Sequence, residues 1–461
     1  MRRCDMARGK KAAKALTLEE KLEQALVPEE EQPYVIPENW CWTSVEKVSI
    51  VVTGGTPSKK NPEYYGDEFP FFKPSDLDAG RHVFKASEYL SKQGKNVARI
   101  IPQNSTAVCC IGSIGKCGYL EIEGTTNQQI NSAIPKFNSL YLFYFMNSDI
   151  FIKQLWSKSS ATTISIVNKT KMESCYFPLA PLLEQQRIVT RIENLFTKLD
   201  EAKEKAQSVI DGFELRKSAI LHKAFTGELT EQWRKEHGMG VDSWKRLSIA
   251  SICSSLKYGT AKKSEKSGSV VVIRMGNLQD GEIDWSDLVY SNDKNDIEKY
   301  HLDIGDVLFN RTNSAALVGK TSIYRGEYPA IYAGYLIKLD YNHDIIIGDF
   351  LNYALNTNNA KEYCNSVKTD GVNQSNINAK KIGAYILSVP TIEEQKQIVY
   401  ILDNLLASEH QAKQAAESVL AQIDTMKKAI LARAFRGELG TNNPSDENAI
   451  ELLKKVLAEK N

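Results

Sequence analysis

Apolar residues recur at alternating steps of four and three along two separate stretches of the chain. The first series is Ile188, Ile192, Leu195, Leu199, Ala202, Ala206, Val209, Phe213 and Ile220, with Arg216 interrupting it. The second is Ile398, Leu402, Leu405, Ala412, Ala416, Val419, Ile423, Met426 and Ile430, interrupted by Glu409. Such spacing predicts a coiled-coil seam on each of two long helices. Neither helix can bury its stripe alone, and the alanines in the middle of each seam predict an antiparallel crossing that is closest there. Gly227 and Gly437 follow the last periodic residues and are expected to stop the two helices. Residues 184–229 and 394–439 align without a gap, with roughly 20 of about 46 positions identical, so the helices are copies of one internal repeat.

Ahead of each helix the pattern changes to short β-branched and apolar runs punctuated by Gly, Pro and Asn, which predict strands of an irregular sheet. In residues 37–181 these are SIVVTG, FPFFKP, TAVCCIG, GYLEIE and SAIPKF, followed by a helical stretch over 140–156. In residues 242–390 they are SVVVIRM, DVLFNRT, KTSIYRG and AIYAGYLIKL, followed by a helix over 347–366. The Trp42 region matches Trp244, Gly115 and Lys116 match Gly319 and Lys320, and Val167, Asn168, Lys171 and Met172 match Ile377, Asn378, Lys381 and Ile382. The chain therefore reads as a tandem duplication of one mixed domain plus one long helix, in which the helices stay similar while the domains diverge. Two short amphipathic helices flank this plan. One carries Leu16, Leu18, Leu22, Ala25 and Leu26, with Thr17 and Glu20 as a capping box; the other, over 448–460, carries Ile450, Leu452, Leu453, Val456 and Leu457. Their apolar stripes are expected to dock on each other or on a partner.

The segments PLLEQQRIV and AILHKAFTGELT, repeated as PTIEEQKQIV and AILARAFRGEL, resemble the conserved regions of specificity subunits of Type I restriction-modification systems. The resemblance covers nearly the whole chain, although only the two helical repeats carry it specifically. It implies an α+β fold of two pseudo-symmetric mixed α/β recognition domains separated by two long helices forming an antiparallel coiled coil. The domain plan that follows is a basic arm and short helix over 1–36, a first target recognition domain over 37–181, a first spacer helix over 182–230, and a linker over 231–241. A second recognition domain then spans 242–390, a second spacer helix 391–440, and a tail with a short helix 441–461. The resemblance further implies that each domain reads half of a bipartite double-stranded DNA target. Two methyltransferase subunits dock on the chain and bring S-adenosylmethionine chemistry, and restriction/translocase subunits complete the assembly.

Composition tempers this picture. With 58 Lys and Arg against 57 Asp and Glu the formal net charge is +1, whereas a duplex-binding protein usually presents a positive field to phosphates. Acidic helices and partner-facing surfaces offsetting a local basic groove would reconcile the two. The arm up to residue 15 is basic, its lysines and arginines either touching phosphate or solubilising the chain. No run of 18 apolar residues and no secretory signal occur, so a cytoplasmic protein that does not engage membranes is expected. The eight cysteines and six histidines show no metal-ligand spacing, and no metal or cofactor site is expected. No dinucleotide fingerprint, nucleophile elbow, helicase or methyltransferase signature is present, so the chain is expected to be non-catalytic. GSIGKCG at 112–118 lacks the glycine spacing and the following Ser or Thr of a phosphate loop, and reads instead as a strand-turn-strand element whose Lys116 meets a DNA phosphate.

Base readout needs Arg, Lys, Asn, Gln, Ser and Thr on a rigid scaffold. In the first domain the loops with that chemistry hold Thr56, Ser58, Lys59 and Lys60; Lys116; Thr125, Thr126, Asn127 and Gln128; and Lys158, Ser160, Thr162 and Thr163. In the second they hold Tyr258, Lys262 and Lys263; Asn310, Arg311 and Asn313; Lys320; and Lys368, Asn373, Gln374 and Ser375. The competing reading is a coiled-coil scaffold whose two sheet domains bind protein or glycan partners.

Overall fold

A computed structural model describes residues 16–160, 164–372 and 374–459. The basic stretch before Leu16, Thr162, Thr163, Asn373 and Lys460 lie outside the described residues. The chain divides into two compact units: the described residues up to Lys205 together with those from Val419 onward, and Ala206–Ser418. Both divisions fall inside a long helix.

In the first unit a four-stranded antiparallel sheet runs in the order Ser49–Thr53, Ile130–Pro135, Ser105–Cys109, Cys117–Leu120. A second sheet pairs Phe69–Phe72 in parallel with Thr125–Thr126. Helices Ser139–Met146 and Asp149–Ser157 cover the first sheet, separated at Ser148, whose side chain caps the second of them. The second unit repeats the order with Cys253–Tyr258, Leu336–Tyr341, Val307–Asn310 and Thr321–Ile323, and pairs Val270–Ile273 in parallel with Ala330–Tyr332. The matched turns hold: Gly115 and Gly319 both have positive φ, +88° and +94°. Asn168 and Asn378 both cap a short helix by accepting from the amide three residues on, Lys171 and Lys381. Trp244, however, corresponds to Trp40 rather than Trp42, because each immediately precedes the strand, Cys41–Ser44 or Lys245–Ser248, that pairs with the last strand of its domain.

The long helices pair antiparallel. In the first unit Ile188 and Ile192 of the helix Leu182–Asp211 share a core with Leu431 and Ala434 of the helix Ile392–Ala434. In the second, Leu221 and Ala224 share one with Ile398 and Leu402. The first helix is not continuous: it breaks at Gly212 and resumes as Phe213–Phe225. The two interruptions in the apolar series meet, with Arg216 Nε donating to Glu409 Oε2 at 2.7 Å, so an ion pair fixes the register where the seam lacks apolar side chains.

The seam itself needs correction at alternate positions of the second helix. Leu405, Ala412, Val419 and Met426 are exposed, while Leu406 is 8% exposed and Lys413, Leu420 and Lys427 are half-buried. Two lysines take seam positions with their ammonium groups over aromatic rings, Lys413 Nζ lying 4.7 Å from the Phe213 ring centre and Lys427 Nζ 5.2 Å from that of Phe196. Ile188, Ile192, Ala206, Phe213, Ile398, Leu402, Ala416 and Ile423 are buried; Leu195, Leu199, Ala202, Val209, Ile220 and Ile430 are half-buried. Both helices end as expected, Gly227 and Gly437 adopting φ of +84° and +75°. The flanking helices Leu18–Glu23 and Ala449–Ala458 pack on each other in the first unit, and the Thr17–Glu20 capping box is formed.

Candidate nucleic-acid interface

In both units a glycine lets the turn after the first sheet strand press against the turn before the last. The Gly54 amide donates to Ile130 O at 3.0 Å and that of Gly55 to Thr126 O at 2.8 Å; a Cβ on Gly54 would fall 2.2 Å from Asn127 O. In the second unit the Thr260 amide donates to Tyr332 O at 2.9 Å, and a Cβ on Gly259 would fall 2.1 Å from the same oxygen. Only glycine fits either approach. The consequence is that two candidate loops become one surface: Thr56 Oγ1 and Gln128 Oε1 lie 2.5 Å apart.

A third loop joins them. The Cys110 amide donates to Gln129 O at 2.7 Å and the Val167 amide to Cys110 O at 2.9 Å, and Ile166 bridges both Ile111 and Ser160. Thr56, Ser58, Lys59, Lys60, Gln128 and Ser160 are exposed on this surface, and Lys158 is half-buried with its ammonium 5.9 Å from the Tyr176 ring centre. Three expected residues are not available. Thr125 and Thr126 are fully buried because they form the parallel strand beside Phe71 and Phe72, and Asn127 is turned in to hold Gln129, its Nδ2 donating to Gln129 Oε1 at 2.9 Å. Lys116 is tied to Asp78 at 2.6 Å, so its charge is already partly neutralised.

The second unit gathers its loops in the same way. Strand Thr312–Asn313 pairs with Ser375–Asn376, which pairs with Thr369–Asp370, so the stretch from Asn310 to Asn313 meets the segment that carries Lys368, Gln374 and Ser375. Arg311 lies at the centre. Its guanidinium carbon stands 4.7 Å from the ring centre of Tyr258, whose hydroxyl accepts from the Ala379 amide at 2.9 Å. Asn310 is fully buried and accepts from the Thr312 amide, so it shapes the turn and does not reach outward. Ser375 is buried as well, its hydroxyl donating to the Asp370 carboxylate. Lys262 pairs with Asp293 at 2.6 Å, Lys320 donates to Gln279 at 2.8 Å and Lys368 to Ala315 O at 3.0 Å, while Lys263 and Gln374 are exposed. The sequence reading did not single out Asn376, whose Oδ1 accepts from Arg311, or Tyr335, which is half-exposed beside it. The register match of Asn376 to Ile166 was the available signal.

At the start of each long helix sits a Glu-Gln pair with no exposed surface. Trp40 Nε1 donates to Glu184 at 2.8 Å and Trp244 Nε1 to Glu394 at 3.0 Å. Gln185 and Gln395 donate to the carbonyls of Ala180 and Pro390. These contacts tie each recognition domain to its own helix start. Among the described residues no group of three or more His, Cys, Asp or Glu is placed to hold a metal ion, and no helix is long and apolar enough to cross a membrane. Burial pushes the thiols of Cys41 and Cys110 up to about 12, which leaves them unreactive at neutral pH.

A duplicated sheet-and-helix unit, each copy with polar loops gathered at one place, defines a class. The family profile of the Type I restriction modification DNA specificity domain matches residues 37–210 and 242–418, and the chain belongs to that family. Among characterised relatives it is similar to the Type I restriction enzyme EcoKI specificity subunit of Escherichia coli K12, at 24% identity covering 92% of this chain and 96% of that protein. The StySPI specificity subunit of Salmonella potsdam matches equally, at 24% identity over 92% and 96%. The HsdS subunit from Thermoanaerobacter tengcongensis has the same fold, with a TM-score of 0.63 at 20% identity over 89% of this chain and all of that one.

Proposed function

We propose that this chain supplies the DNA address of a Type I restriction-modification complex and leaves the chemistry to its partners. Residues 37–181 read one half of a bipartite target and residues 242–390 the other. The paired helices over 182–230 and 391–440 set the spacer between the halves and offer docking surfaces to two methyltransferase subunits, with restriction/translocase subunits joining the complete assembly. The 43-residue helix Ile392–Ala434 would be about 64 Å long at 1.5 Å per residue, ample for half-sites roughly one duplex turn, about 34 Å, apart.

The observation that carries this reading is the duplication with divergence: two domains with the same strand order and the same tethering glutamates, but different side chains on the equivalent exposed turns. A scaffold for protein or glycan partners would not require matched frames with unmatched faces. The near-zero net charge fits a subunit whose affinity for DNA depends on its partners. Exchange of residues 37–180 for the equivalent domain of a related subunit is expected to change one half of the methylated motif and leave the other half intact, read by methylome sequencing of the host. Simultaneous change of both halves would refute independent readers.

A further inference from the structure

Arg311 differs in its ion pairing from Arg274 and Arg325 of the same recognition domain. Arg274 pairs with Asp287 at 2.8 Å, and Arg325 with Glu282 at 2.8 Å and Asp349 at 2.5 Å. Arg311 has no carboxylate partner among the described residues. Its guanidinium makes two long contacts, Nη1 to Gly334 O at 3.3 Å and Nη2 to Asn376 Oδ1 at 3.4 Å, beyond the usual 2.9–3.0 Å for N–H to O bonds. Its Nε is buried with no acceptor at all.

An unpaired guanidinium with an unsatisfied N–H costs stability unless something repays it. The surroundings hold it in place nonetheless. The Tyr258 ring centre lies 4.7 Å from its guanidinium carbon, the Arg311 amide donates to Tyr335 O at 3.0 Å, and the Arg311 carbonyl accepts from the Ile377 amide at 2.8 Å. These contacts restrict the fork and leave much of its hydrogen-bonding capacity unused. That is the preparation a bidentate reader needs, since little rotamer entropy remains to be lost on binding.

We propose that Arg311 is a specificity-determining residue that donates both arms of its guanidinium to the O6 and N7 of one guanine, in the major groove of the half-site read by residues 242–390. The assignment rests on the specificity-subunit reading above. Guanine is the base that offers two acceptors at the spacing of an arginine fork. Asn376 is the positioning partner: its Oδ1 accepts from Nη2 while its Nδ2 is held by Thr312 Oγ1 at 2.7 Å. At the same register the first recognition domain has the buried Cys110, whose carbonyl accepts from the Val167 amide as that of Arg311 does from Ile377, so the other half-site has no arginine reader at this place.

The test uses the full chain assembled with its methyltransferase subunits. The bipartite motif is first read from host methylation, and the half belonging to residues 242–390 is assigned by domain exchange. Each guanine in that half is then replaced by 7-deazaguanine, which pairs normally but lacks the N7 acceptor, and affinity is measured by fluorescence anisotropy. One replacement is expected to weaken the wild-type complex roughly 10- to 100-fold and to have no further effect on Arg311→Ala. Arg311→Met, which keeps a long side chain beside Tyr258 and has no donor, is expected to lose discrimination at that guanine alone, and it serves as the readout should the alanine variant unfold. An Arg311→Ala or Arg311→Met complex that remains sensitive to the same 7-deazaguanine overturns the proposal. A uniform loss across all sequences also overturns it, since a phosphate contact behaves that way, as does a half-site without guanine. A strict wild-type motif with unchanged Arg311 variants refutes only the arginine assignment. A wild type that directs no bipartite methylation refutes the specificity reading as well.

Discussion

The turn that ends at Ile166 and the turn that ends at Asn376 occupy one register in two copies of a fold, and they carry opposite chemistry. In the first unit Ile166 is 40% exposed next to Ile111, an apolar edge; in the second, Thr312 and Asn376 make the same bridge with polar side chains, and Arg311 adds a side-chain contact to Asn376. The backbone frame is constant down to the capping asparagines at 168 and 378. Selection on a shared scaffold constrains hydrogen-bonded backbone and buried side chains, and leaves the exposed positions of a turn free to diverge. The same comparison can be made below the surface, and there the difference is electrostatic. Glu394 is paired with Arg234 at 2.7 Å, both buried, and Thr230 also donates to it at 2.7 Å. Glu184 keeps the tryptophan contact, but the nearby Arg187 turns away to Asp446. One tether is an ion pair and the other a buried carboxyl without one.

This contrast is best broken by removing the carboxylates one at a time. Glu394→Gln strands a buried guanidinium and is expected to cost about 3–5 kcal/mol, whereas Glu184→Gln, which strands no cation, is expected to cost about 1 kcal/mol or less. Urea unfolding followed by tryptophan fluorescence measures both, and equal losses would mean that Arg234 finds another partner. A smaller and sharper effect lies in pH. Burial raises the Glu184 carboxyl above its ordinary value, only partly offset by the Trp40 hydrogen bond. Between its unfolded and folded values the native state holds the extra proton, so this group's contribution to stability falls as pH rises through that window. Glu184→Gln should abolish that fall, and an unchanged pH profile would count against the carboxyl as its source. The smallest expected effect is at the reading face: Tyr258→Phe keeps the ring beneath Arg311 and loses only the bond from Ala379, about 1 kcal/mol of stability with no change in motif, while Tyr258→Ala should relax the motif.

Much of the frame was legible because it rests on periodicity and on comparison within the chain. The strands, the helix stops at Gly227 and Gly437, the Thr17–Glu20 box and the matched asparagine caps all follow from local chemistry. What escaped has physical reasons. The adjacent pair Leu405 and Leu406 offers the seam two choices, and three-dimensional packing takes the second; Lys413 and Lys427 break an apolar pattern, yet their ammonium groups lie over phenylalanine rings. Thr125 and Thr126 read as a polar loop because nothing local reveals a parallel strand whose partner, Phe71–Phe72, is more than fifty residues earlier. The Arg311 stack on Tyr258 joins residues from two loops that no spacing rule connects.

Phe435 has a meaning for synthesis that its place in the core does not reveal. Its ring centre lies 5.2 Å from that of Tyr141 and 5.3 Å from that of Phe145, so the core of the first recognition unit is completed by a side chain made only after the whole of the second unit. At 5–20 residues per second, residues 206–418 take about 10–40 s to emerge after the sheet of the first unit has left the ribosome. Through that interval Tyr141 and Phe145 lack this neighbour, while the second unit, contiguous in the chain, can close as soon as it is made. The half of the protein translated first is therefore the half that finishes folding last, and a transcript cut short after the second unit would release a chain with an open aromatic core.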